Sequence, residues 1–123
     1  MPERDPELIR TLLLRAEGQP LDSEDPFTSG IVDFLNEVSP VEAYHLILMR
    51  DAGLITGKDA NLGLFRITSA GHDFLDAIKD EGIWQKTKSV VAETGGSATI
   101  ELIKNVAVGF LRKKLQAHMG IEL

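Results

Sequence analysis

Ser39-Pro40-Val41-Glu42-Ala43-Tyr44-His45-Leu46-Ile47-Leu48-Met49-Arg50-Asp51-Ala52-Gly53-Leu54-Ile55-Thr56 sets the architecture of this chain. Ser39 suits a helix N-cap and Pro40 the first helical position. Glu42, three residues past the cap, completes a capping box. The helix opened there runs through Tyr44, His45 and Met49 to Ala52. Gly53 is a natural left-handed stop, and Leu54-Ile55-Thr56 reads as a strand.

Downstream, Gly57-Lys58-Asp59-Ala60-Asn61 is a polar turn, and Leu62–Thr68 returns as a second strand, which makes a β-hairpin. Gly71, Phe74, Leu75 and Ile78 mark a helix capped from Thr68 or Ser69. Gly82 interrupts it, and Ile83, Trp84, Thr87, Val90 and Val91 form a further amphipathic helix. Gly95-Gly96-Ser97 is a break. A last helix starts near Thr99 and carries Ile103, Val106, Ala107, Phe110 and Leu111. Arg112, Lys113 and Lys114 near its end suit the helix dipole.

Upstream, Asp5 is a good N-cap, followed by Pro6 and Glu7, and Leu8, Ile9, Leu12, Leu13 and Ala16 share one helical stripe. Gly18 and Pro20 stop this helix, and the polar stretch Gly18–Ser29 reads as a loop. Ile31–Asn36 is short enough to be either a strand or a helix capped by Ser29.

The order helix, short element, capped helix, hairpin, helix resembles a winged helix-turn-helix, in which the capped helix would be the recognition helix and the hairpin the wing. Arg66-Ile67-Thr68-Ser69-Ala70-Gly71-His72 resembles the leucine-threonine-x-x-glycine step of many winged regulators. A closer resemblance is to the bacterial and prophage domain-of-unknown-function family 2513. It is carried by Tyr44-His45-Leu46, by Asp51-Ala52-Gly53-Leu54-Ile55, and by the run Ile67-Thr68-Ser69-Ala70-Gly71-His72-Asp73-Phe74-Leu75-Asp76-Ala77-Ile78. Trp84 and Lys88, Gly95-Gly96-Ser97 and Leu111-Arg112-Lys113-Lys114-Leu115 extend it over about residues 4–116. The family tends to be shorter and more strand-like than this chain at 20–38, and no activity is assigned to it. The expected fold is mainly α with a small β-hairpin wing: a winged helix-turn-helix core over 1–78 and a C-terminal helical extension over 79–123, packed together as one domain.

At 123 residues the chain has the length of one domain, and its hydrophobic fraction of 43% excludes disorder. It contains no cysteine, which rules out disulfides and thiolate chemistry. No apolar run approaches the ~18 residues of a membrane span, so a soluble cytoplasmic protein with no membrane partner is expected. The net charge of −6 is uneven. Residues 1–38 hold 3 basic and 9 acidic side chains, residues 39–67 are neutral, and residues 95–123 carry +2. The acidic excess therefore lies outside the hairpin unit and does not forbid double-stranded DNA, although a neutral unit promises weak affinity.

Two functional classes follow. As a DNA-binding transcriptional regulator, the chain would place Ser39, Glu42 and Tyr44 of the recognition helix at the groove, with Lys58 and Arg66 of the wing on phosphates. Glu42 would repel phosphate, and a helix apolar nearly all round usually signals burial. The other class is a non-enzymatic protein–protein interaction module, antitoxin-like or phage-encoded, on the same scaffold. His45, His72 and Asp76 could form a metal site, but an interhelix polar core is the simpler reading, with no metal and no cofactor. No phosphate loop and no nucleophile elbow is present, so no catalytic residue is expected. Trp84 reads as a core anchor or an interface hot spot. The last helix, apolar on several sides, suggests a homodimer through Ile103, Val106 and Phe110.

Overall fold

The computed structural model describes residues 4–19, 30–94 and 99–119. The Gly95–Ser97 break and most of the 18–29 loop lie outside these residues. The chain divides into two compact units, residues 1–72 and 73–123.

The first unit opens with α1 (Pro6–Glu17). The Asp5 side chain caps it by accepting from the backbone N–H groups of Glu7 and Leu8. Its stripe of Ile9, Leu12, Leu13 and Ala16 is buried, and α1 packs on α2 (Pro40–Asp51). Residues 31–36, open between helix and strand in the sequence, contain the strand β1 (Val32–Asp33). Among the described residues no helix stands between β1 and α2, so of the two readings open for 31–36 the strand is the one formed. The backbone explains why. The Phe34 N–H donates to the Gly63 carbonyl at 2.8 Å, the Asp33 carboxylate accepts from the Leu35 N–H at 3.0 Å, and Asn36 takes a φ of 66°. An Asx turn followed by a left-handed residue holds the chain extended and then bends it, which leaves no room for a helical turn.

α2 begins with the full capping box: the Ser39 hydroxyl accepts from the Glu42 N–H, and the Glu42 carboxylate accepts from the Ser39 N–H. It ends in a Schellman motif. Gly53 has a φ of +81°, its N–H donates to the Arg50 carbonyl, and the Leu54 N–H donates to the Met49 carbonyl. β2 (Ile55–Thr56), a 3-10 turn (Ala60–Leu62) and β3 (Leu64–Ile67) follow. The antiparallel sheet has the order β1-β3-β2, with Val32 opposite Phe65 and Thr56 opposite Arg66. Phe34 and Phe65 meet edge to face at 5.9 Å on its buried side.

α3 (Ser69–Ile78) is capped by Thr68, whose hydroxyl accepts from the Gly71 N–H at 3.0 Å. The same hydroxyl donates to the Gly53 carbonyl at 2.6 Å, and the Thr68 N–H donates to the Leu54 carbonyl. Gly71 lies so close to that turn that a Cβ there would overlap the Leu54 carbonyl oxygen. The threonine–glycine step therefore welds the first turn of α3 to the α2–β2 corner.

The second unit contains the rest of α3, α4 (Glu81–Ala92) and α5 (Ile100–Met119). The break before α4 falls at Lys79–Asp80 rather than at Gly82. Asp80 caps α4 by accepting from the Ile83 N–H at 3.0 Å, and Gly82 lies inside the helix. α4 packs on α5, and Ile83, Trp84 and Thr87 of α4 and Ile100, Ile103 and Ala107 of α5 are all buried. Trp84, at 1% exposure, is a core anchor.

Candidate interaction surfaces

The buried side of α2 carries His45, Leu46 and Met49. At 100° per residue, the opposite side presents Pro40, Tyr44, Ile47 and Asp51, with Leu48 at its edge. Pro40 and Asp51 are exposed, and Tyr44, Ile47 and Leu48 are half-buried. This face contains no cation. Arg50, the sole lysine or arginine of α2, donates to the Gly57 and Lys58 carbonyls at 3.3 and 3.4 Å, and so ties the helix to the turn after β2.

Of the five residues expected at a DNA groove, Ser39 and Glu42 are engaged with each other in the capping box. Glu42 also meets Arg15 of α1 at 3.5 Å. The Ser39 backbone N–H, the Ser39 hydroxyl and the Arg15 guanidinium hold the Glu42 carboxyl below the usual glutamate range, against the opposing effect of burial. Tyr44 lies on the apolar outward face. Lys58 and Arg66 are exposed, and their side chains form no ion pair among the described residues.

The expected polar core of His45, His72 and Asp76 does not form as a buried cluster. His45 is fully buried, with Nδ1 2.9 Å from the Val41 carbonyl and Nε2 2.9 Å from the Asp5 N–H. A carbonyl only accepts and an amide N–H only donates, so Nδ1 carries the proton and Nε2 the lone pair. Both ring nitrogens are thus committed to backbone groups. His72 and Asp76 are exposed. His72 lines a cleft of about 400 Å³ in the first unit with Ser69, Arg66, Gln19 and Gly30. Among the described residues no group of three or more His, Asp or Glu side chains is placed to hold a metal ion.

In the second unit, Ile103 is 3% exposed and packs into the interior of its own chain, so it offers no surface to a second copy. Val106 is half-buried. So is Phe110, which lines a cleft of about 460 Å³ with Ile83, Lys86 and Lys113. Lys114 pairs with Asp80, and this hydrogen bond, together with the one from the Ile83 N–H, holds the Asp80 carboxyl below its usual range. No helix among the described residues is long and apolar enough to cross a membrane.

Sequence reasoning missed Arg15. Its guanidinium stacks 4.1 Å from the centre of the Phe34 ring while reaching the carboxylates of Glu37 and Glu42. The available signal was its place in the last turn of α1, one residue before the stripe position Ala16. Asp80 was also missed, although an aspartate three residues before Ile83 is itself a cap signature.

A mainly helical fold of five helices with a small three-stranded antiparallel sheet is the class to which these described elements belong. Residues 3–97 match the family described as "Hypothetical protein (DUF2513)", and the chain belongs to that family. It is also similar to an "Uncharacterized protein" of Haemophilus influenzae, with 28% identity over 119 residues, covering 92% of this chain and 98% of the relative. No solved structure matches the chain.

Proposed function

We propose that the chain is a non-enzymatic protein-interaction module on a winged-helix scaffold that docks a partner through the outward face of α2. The observation that carries this reading is the composition of that face. Where a DNA reader would set cations and amides against phosphates and base edges, α2 sets Pro40, Tyr44, Ile47 and Leu48 beside Asp51. An aromatic with aliphatic neighbours and a single charge is the chemistry of a protein-docking patch. The winged-helix assignment is supported by the β2–β3 hairpin after α2 and by the β1-β3-β2 sheet.

A second reading, a DNA-binding regulator of bacterial or prophage genes, is favoured by one observation. Lys58 and Arg66 are exposed cations on the hairpin, outside every intramolecular ion pair among the described residues.

One experiment separates the two. A photo-crosslinking amino acid at Tyr44 yields a discrete protein adduct in the native host, and Leu48→Glu abolishes it, while Lys58→Glu with Arg66→Glu leaves it intact. Duplex DNA titrated in parallel shows no salt-dependent binding. Duplex affinity with a steep salt slope, which falls by about two counterions in the Lys58→Glu, Arg66→Glu variant, would overturn the docking reading in favour of DNA.

A further inference from the structure

α5 carries two apolar stripes. Ile100, Ile103 and Ala107 form the buried one, and α5 packs on α4. Val108, Leu111 and Leu115 form the second, displaced by roughly 80° round the helix. This second stripe floors an open groove of about 260 Å³, walled by Asp73 and Asp76 of α3 and rimmed by Arg112. Leu115 remains 39% exposed. Asp73, Asp76 and Arg112 are exposed as well, and none of them forms an ion pair among the described residues. One apolar groove therefore carries both signs of charge on its walls, with no ion pair between them.

We infer that this groove is the interface of a two-fold homodimer, with α5 of one copy lying antiparallel on α5 of the other. Each Arg112 then meets Asp76 of the opposite copy, flanked by Asp73. A two-fold axis sets a patch against itself, so the patch must be complementary to its own image. An apolar stripe bordered by acidic side chains from α3 and a basic one from α5 meets that condition. The stripe supplies the desolvated contact, and the charged walls set the register. At 20 residues, α5 is about 30 Å long, enough for a continuous helix-on-helix contact. The interface uses Leu111 and Leu115 in place of the buried Ile103. It does not depend on the α2 reading, because it involves a different helix.

Light scattering and sedimentation of the full chain across the micromolar range test this inference. The wild type sediments as a dimer. Arg112→Glu sets a second carboxylate against Asp76, and Asp76→Arg sets a second guanidinium against Arg112. Each single variant raises the dissociation constant at least about tenfold while circular dichroism stays unchanged. An equimolar mixture of the two variants dimerises again, because both wall pairs are then opposite in sign, and no misfolded protein would recover in that way. Leu111→Glu gives a monomer. A monomeric wild type throughout that range, a charge reversal without effect, or folded single variants that fail to dimerise when mixed would each overturn the proposal.

Discussion

His45→Leu tests whether a single imidazole fastens α1 to α2. The ring is fully buried and makes two hydrogen bonds of 2.9 Å, one within α2 to the Val41 carbonyl and one across forty positions of sequence to the Asp5 N–H. Leucine fills a similar volume, so the cavity component is small and the polar component dominates. The Val41 carbonyl keeps its helical ladder partner, so that loss is mild. The backbone N–H of Asp5, the cap residue of α1, loses its acceptor in a partly buried setting. A lost hydrogen bond plus a partly desolvated donor costs about 1–3 kcal/mol. With a urea m-value of about 1–3 kcal/mol/M, the unfolding midpoint falls by about 1 M with m unchanged. Amide exchange accelerates along α1 first. A second measurement is independent of stability: long-range nitrogen–proton spectra of the wild type show His45 protonated on Nδ1, the rarer neutral tautomer. An unchanged midpoint in His45→Leu, or a ring protonated on Nε2, would refute the reasoning.

Other perturbations have equally definite outcomes. Gly71→Ala drives a methyl into the Leu54 carbonyl, which is backbone and cannot swing aside; thermal denaturation shows a loss of about 3 kcal/mol or more, or no folded protein. Glu42→Gln removes a carboxylate whose pKa is depressed in the folded state. Such a group stabilises above its unfolded value and loses that contribution as pH falls, so the stability gap between wild type and variant is full at neutral pH. It closes below about pH 4.5 in a series of urea titrations. Asp80→Ala unfastens the first turn of α4 from both the Ile83 N–H and Lys114, lowering Tm at neutral pH and narrowing that difference in acid, again because the native carboxyl titrates below its usual range.

Much of the scaffold was legible because short-range chemistry dictates it. The capping box at Ser39–Glu42, the left-handed Gly53 and the stripe of α1 are each written within a few residues, and each forms as expected. Residues 31–36 were not legible, since their strand depends on a bond from Phe34 to Gly63, nearly thirty positions away, which no local pattern encodes. The surfaces were harder still. Ile103, Val106 and Phe110 share an apolar stripe in sequence, but packing on α4 decides which stripe of α5 is consumed, and it consumes Ile103. His72 and Asp76 share a helical face as their spacing requires, and that face is exposed.

The threonine–glycine step that resembles winged regulators, and the capping box before it, are engaged inside the fold. Thr68 commits its hydroxyl to the Gly53 carbonyl and the Gly71 N–H, and the missing side chain of Gly71 serves its close approach to Leu54. Ser39 and Glu42 satisfy each other, and Arg50 satisfies two carbonyls of the turn beyond β2. These groups fix where α2 stands, and their donors and acceptors are engaged in doing so. A motif of this kind therefore speaks for local structure and not for function. On the docking reading proposed above, recognition by α2 would fall to Pro40, Tyr44, Ile47 and Asp51, opposite its buried side. Those four side chains bring one negative charge and no positive one to a face that a DNA reader would have to make cationic.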